Sequence, residues 1–134
     1  SHDHRGMPDA PGRVATLIES PAEFCDGMAF RISADQAKQI FLYLDHREKN
    51  GFERRIVSLM PLEGDAFDAL VYIATPDNEA FLGEASTAAI AQHIKTSHGP
   101  SGSNEEYLLR LAQALREMNA HDAHVFELEV LVLA

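Results

Sequence analysis

Only one cysteine, Cys25, occurs in the 134 residues, and tryptophan is absent. A single thiol excludes both a disulfide framework and a thiolate metal centre. No apolar run approaches the roughly 20 residues that a membrane-spanning helix needs. The first residues, "SHDHRGMPDAPG", lack the charged-then-apolar pattern of a signal peptide. Basic residues are scarce too: 11 Lys and Arg stand against 21 Asp and Glu, a formal charge of -10. Such a chain repels a phosphate backbone, and no Lys/Arg stripe interleaved with aromatics offsets the repulsion, so nucleic acid is not an expected partner. These shortages describe a soluble, cytoplasmic protein in a reducing compartment.

What remains is ordinary for a folded domain: hydrophobic residues make up 46% and charged residues 24%. The length fits one domain, residues 1–134, with one core and no interdomain linker or repeat. Ser1 stands where an initiator Met is usual, and the turn-rich start reads as a chain entered partway through.

"RVATLI" (13–18) has strand composition, and "GMAFRI" (27–32) is its expected antiparallel partner. "SADQ" (33–36) is a capping box, with Ser33 facing first-turn amides and Gln36 reaching back, and opens a helix running to about Lys49. Asn50-Gly51 stops it. "ERRIVSLM" (53–60) and "DALVYIAT" (68–75) are expected to be neighbouring strands. Residues 86–97 form a helix behind a Ser/Thr cap, closed by "HGPSG". "SNEE" (103–106) is a second capping box, opening a helix with Tyr107, Leu108, Leu111, Leu115 and Met118 on one face. Asp122 caps a last helix, although "VFELEVLVL" also alternates as a strand does. The class is α+β: about four strands with one inserted helix, then a helical C-terminal part.

The charges that could carry chemistry gather in "YLDHREKNGFERR" (43–55). At 100° per residue Ala37, Ile40, Phe41 and Leu44 share one face, and Glu48 falls in the middle of it. Asp45 and Lys49 form an i, i+4 pair pointing aside, and His46 projects from the opposite side, so these read as a solvated flank. Glu48 lies in the last turn, where the negative end of the helix dipole and partial burial both favour a protonated carboxyl, as a general acid/base needs. The alternative is a frayed last turn whose Glu48 reaches water.

Elsewhere the signals are weaker. His2 with His4, and His121 with His124, lack the further partners of a metal site, so no metal is expected. No G-x-S-x-G elbow, G-x-G-x-x-G or P-loop is present, and "GPSG" (99–102) is too short to serve as a phosphate cradle. Cys25 reads as a small apolar residue. Tyr107 is either core packing or a pocket hydroxyl.

"SHDHRG", "PGRV", "YLDHREKNGFERR", "VYIATPDNEAFLG" and "HGPSGSNEEYLLRLAQALRE", in that order, resemble the ChaC-like family of glutathione-specific γ-glutamylcyclotransferases over essentially the whole chain. The resemblance implies a γ-glutamylcyclotransferase-like small mixed β-barrel flanked by helices. It implies a lyase that needs no cofactor and converts glutathione to 5-oxoproline and cysteinylglycine. The Glu of the family's R-E-K-x-G motif matches Glu48, and a pocket tyrosine matches Tyr107 as a substrate-binding residue. The family's N-terminal strand and Tyr-Gly-Ser-Leu loop have no counterpart in residues 1–134, so the domain is expected to be truncated at that end. Two alternatives differ in kind: a non-catalytic binding or regulatory domain that keeps the fold, and a cyclotransferase for another γ-glutamyl compound. The sequence is silent on oligomeric state.

Overall fold

The computed structural model describes residues 1–134 except Asp3, Lys49, Asn50 and Pro76. In chain order the elements are α1 (Ala34–Arg47), β1 (Phe52–Leu59), β2 (Phe67–Ala74), α2 (Thr87–Thr96), β3 (His98–Gly99), β4 (Gly102–Ser103), α3 (Asn104–Glu117) and α4 (Ala123–Leu133). They fall into two compact units, one of residues 1–15 and 80–134, the other of residues 16–79. The α+β class is the expected one.

The first unit is built on three helices, each started by a side-chain cap. Ser86 Oγ accepts from Ala89 N at 3.3 Å, Ser103 Oγ from Glu106 N at 3.1 Å, and Asp122 Oδ1 from Val125 N at 3.0 Å. Each cap satisfies an amide that the helix itself leaves orphaned. The end of α3 is equally well specified: Asn119 takes a left-handed φ of 54°, and the amides of Asn119 and Ala120 return to Arg116 O and Leu115 O. This double closure reverses the chain into α4. The 122–133 segment, open between helix and strand in the sequence, is therefore helical. Ala91 and Ile94 of α2, Leu108 of α3, and Leu128 and Val132 of α4 form the core, with Ile90, Val125 and Leu131 packed on it. Burying each large aliphatic side chain stabilises by roughly 1.5–3 kcal/mol. Arg116 ties α3 to α4 through Glu129, with Nη1 donating to Oε1 at 2.9 Å, and its guanidinium lies 4.8 Å from the Phe126 ring centre. On α3 the fully buried positions are Asn104, Leu108, Ala112 and Leu115, while Tyr107, Leu111 and Met118 lie at the half-buried edge of the expected face.

The second unit is α1 with an antiparallel β1–β2 ribbon, whose register runs from Phe52 opposite Ala74 to Leu59 opposite Phe67. Both strands fall where their β-rich composition puts them. The inward face of α1 is also as expected: Ala37, Ile40, Phe41, Leu44 and Glu48 are half-buried and His46 is exposed. Three local expectations are corrected. Residues 13–18 and 27–32 form no strand; Ile18, Met28 and Phe30 are exposed, and Leu17 O accepts a backbone bond from Ala74 N at 2.9 Å. Strand propensity is a preference for a pleated, half-buried surface, and these exposed residues have none. Ser33 precedes α1 but its hydroxyl donates to Gln36 Oε1 at 3.0 Å instead of capping an amide. Finally α1 ends at Arg47, so Glu48 is the residue after the last turn, with φ −96° and ψ 18°, although its N–H still reaches Leu44 O at 2.8 Å. Lys49 and Asn50, the expected partner of Asp45 and the expected stop, lie outside the described residues.

Candidate active site

Glu48 stands at the junction of α1 and the loop into β1. Its side chain keeps 26% of its surface exposed, and one carboxylate oxygen lies 3.4 Å from Arg47 Nε. Adjacent helix residues ordinarily diverge, but the turn-like backbone at Glu48 brings these two together. Asp45, expected on the solvated flank, is instead a structural hub. Tyr72 Oη donates to Asp45 Oδ1 at 2.7 Å, and Arg54 Nε lies 3.4 Å from the same oxygen. Arg54 and Tyr72 are direct cross-strand partners in the β1–β2 register, so one rung of the ribbon holds the end of α1. Burial, reinforced by the hydrogen bond and charge of Asp45, pushes the Tyr72 phenol up to about 12; Arg54 pulls the other way, and Glu48 adds its negative charge. Tyr72 is neutral and donating at physiological pH.

The loop after Glu48 is pinned at Gly51. Its carbonyl accepts from Thr75 N at 3.0 Å, Thr75 Oγ1 at 3.3 Å and Asn78 Nδ2 at 2.9 Å. Gly51 has φ +78°, and a Cβ there would lie 2.6 Å from Asn78 Cγ. Only glycine meets both conditions without strain. Asn78 itself is 8% exposed.

Tyr107 belongs to the first unit, where it projects from the first turn of α3. Its hydroxyl accepts from Ala15 N at 3.0 Å, and the Arg5 guanidinium lies 6.0 Å from its ring centre. Arg5 Nη1 also donates to Ser103 O at 3.1 Å and Glu106 Oε2 at 2.7 Å. Hydrogen bonding from Arg5, then the charge of Arg110, holds the Glu106 carboxyl below its ordinary value. Beside Tyr107, Asn104 is 0% exposed; its carboxamide accepts from Arg13 N and donates to Arg13 O, both at 2.6 Å. "GPSG" forms the β3–β4 turn rather than a phosphate cradle: Ser101 N donates to His4 O at 2.9 Å, and Gly99 lies so close to the 4–6 segment that a Cβ would sit 2.2 Å from His4 O.

The sequence reading named Glu48 and Tyr107 as candidates and did not anticipate the contacts made by Asp45, Tyr72, Asn78, Arg5 and Asn104. Of these, Asn104 and Asn78 carried a signal, since each lies in a segment of the family resemblance, Asn104 at the start of α3 and Asn78 in the loop after β2. Cys25 is exposed, not packed as a small apolar residue. His121 meets the Phe126 ring edge-on at 5.5 Å and His4 Nδ1 lies 3.3 Å from Ser101 Oγ. Among the described residues no cluster of three His, Cys, Asp or Glu could hold a metal ion, and no helix is long and apolar enough to cross a membrane.

An α+β protein with an inward carboxylate at a helix end and a ribbon holding that end has close structural counterparts. A selenomethionine-labelled γ-glutamyl cyclotransferase specific to glutathione from yeast superposes with a TM-score of 0.81 at 32% identity, covering 99% of this chain and 80% of the yeast one. The chain is a member of the ChaC-like protein family, whose profile matches residues 1–134. Among its relatives, glutathione-specific γ-glutamylcyclotransferase 1 of Danio rerio is 43% identical, the match covering 98% of this chain and 70% of the relative. The Schizosaccharomyces pombe glutathione-specific γ-glutamylcyclotransferase is 39% identical over 96% of this chain and 73% of its own. The Homo sapiens form is 38% identical, over 91% and 58% respectively.

Proposed function

We propose that this chain is a glutathione-specific γ-glutamylcyclotransferase, a lyase that releases 5-oxoproline and cysteinylglycine, with Glu48 as its acid/base and Tyr107 in the substrate pocket. The observation that carries the activity is the whole-length family match, together with relatives whose names state it. That match runs through both compact units and supports reading residues 1–134 as a single domain, part of a γ-glutamylcyclotransferase-like barrel. A cytosolic location agrees with a substrate that is an abundant intracellular thiol, and with an unpaired, exposed Cys25.

In the proposed reaction Glu48 takes a proton from the α-ammonium of the γ-glutamyl group. The freed amine attacks the γ-carbonyl carbon, and a tetrahedral intermediate forms. The attack has already closed the five-membered ring. Glu48 then returns the proton to the cysteinyl nitrogen as its C–N bond breaks, the lactam carbonyl re-forms, and the ring nitrogen releases its second proton to solvent. Intramolecular attack supplies about 7–11 kcal/mol once the substrate is held folded. Proton transfer by one carboxylate adds roughly 10²–10⁴ in rate, and no cofactor enters. A half-exposed position at a helix end suits such a carboxylate, which must meet both substrate and solvent.

The test is Glu48→Gln in the full-length gene product, assayed by 5-oxoproline release from glutathione. The substitution keeps the shape and removes the proton shuttle, and the rate is expected to drop by about 10²-fold or more. Turnover at the parental rate would remove Glu48 from the chemistry, and faster turnover of γ-glutamyl dipeptides than of glutathione would change the substrate.

A further inference from the structure

Glu48 lies between two anchors that both come from β2 and the turn after it. On its N-terminal side Tyr72 Oη holds Asp45, one helical turn before Glu48, while the cross-strand Arg54 approaches the same oxygen. On its C-terminal side Thr75 and Asn78 hold the Gly51 carbonyl. Neither anchor bonds the Glu48 carboxylate, whose ion-pair neighbour is Arg47. The first holds the helical turn that leads into Glu48, and the second holds Gly51 at the start of the ribbon. A catalytic group must be held to within about 0.5 Å of its working position, and a misplacement of roughly 1 Å can cost 10² in rate. A side chain at a helix end has no following turn to supply that precision, so it has to come from outside the helix.

We propose that Tyr72 and Asp45 are positioning residues for Glu48: their hydrogen bond locks the end of α1 to the β1–β2 ribbon and so fixes where the acid/base carboxylate stands. This rests on the reading of Glu48 given above. Tyr72 is suited to the role because the phenol stays protonated and donating throughout the range in which an enzyme works.

Tyr72→Phe keeps the ring and removes only the donor. In the full-length gene product, with glutathione as substrate and rates normalised to folded protein by circular dichroism, it is expected to lower kcat about tenfold with KM within about twofold. Asp45→Ala is expected to do the same, whereas Asp45→Asn, whose carbonyl still accepts from Tyr72, keeps kcat within about threefold of the parent. In the Glu48→Gln background, Tyr72→Phe is expected to cost nothing further, because residues acting through one group are not additive. If Tyr72→Phe and Asp45→Ala kept the parental kcat while Glu48→Gln was inactive, the positioning role would be wrong and the acid/base reading intact. An effect on KM alone, or an equal further loss in the Glu48→Gln background, would also overturn it. A Glu48→Gln enzyme at full rate would instead bring down the acid/base reading itself.

Discussion

Asn104 and Arg13 exchange two hydrogen bonds, side-chain amide against main chain, at 2.6 Å in each direction. A fully buried carboxamide here does what a neighbouring strand would do, satisfying the N–H and C=O of a segment that has no strand partner at that point. Replacing it leaves two backbone groups unpaired, each costing about 1–3 kcal/mol. Asn104→Ala is expected to lower unfolding free energy by roughly 2–4 kcal/mol, read from the midpoint of urea denaturation at unchanged slope. Asn104→Asp should be no better, since a carboxylate cannot donate to Arg13 O.

The helical core makes a contrasting prediction. Ile94→Ala removes a side chain 3% exposed among α2, α3 and α4 and should cost about 2–5 kcal/mol. Ile56→Ala, on a β1 residue that is 67% exposed, should change stability by no more than about 0.5 kcal/mol. Equilibrium unfolding of the two variants side by side checks the difference.

Tyr107→Phe separates a pocket hydroxyl from a packing ring. The half-buried ring stays, and Ala15 N–H loses its acceptor. If the hydroxyl binds substrate, KM for glutathione rises by about 5- to 10-fold, the equivalent of one hydrogen bond, with kcat little changed. Steady-state kinetics on the full-length protein reads this directly.

Charge predicts the acid and alkaline limits of stability. Glu129, held low by its hydrogen bond from Arg116, and Glu106, held low by Arg5, contribute stability that is present above the ordinary glutamate value and is lost as pH falls through their depressed ones. Glu129→Gln should therefore flatten the acid side of a plot of stability against pH. Tyr72 works in the opposite sense: its raised phenol contributes stability present below the ordinary tyrosine value of 10.0 and lost as pH climbs towards about 12. In an ultraviolet phenolate titration Tyr72 is expected to ionise well above the ordinary tyrosine value, at about 12, and Tyr72→Phe should delete that late step.

Much of this was legible in the residues because local chemistry decided it. Ser86, Ser103 and Asp122 announce α2, α3 and α4, and helical periodicity alone puts Glu48 on the inward face of α1. What escaped depends on pairings distant in sequence. Asp45 reads as a flank charge until Tyr72, 27 residues away, is folded against it. Asn104 reads as a helix-start amide until Arg13, 91 residues away, arrives. The runs at 13–18 and 27–32 failed for the converse reason: their composition favours strand, but no ladder forms along them.

Among the described residues the buried apolar side chains, from Ala91 to Val132, all lie in the unit of residues 1–15 and 80–134. The unit carrying Glu48 has none among its described residues and instead leaves Phe24, Phe30, Met60 and Leu62 exposed. Local opening is easiest where few apolar groups are buried. The half of the chain that bears Glu48 is thus the half that breathes first. On warming, catalysis should fade while the helical signal of the other half is still intact, so that heat inactivation and heat denaturation are separate events.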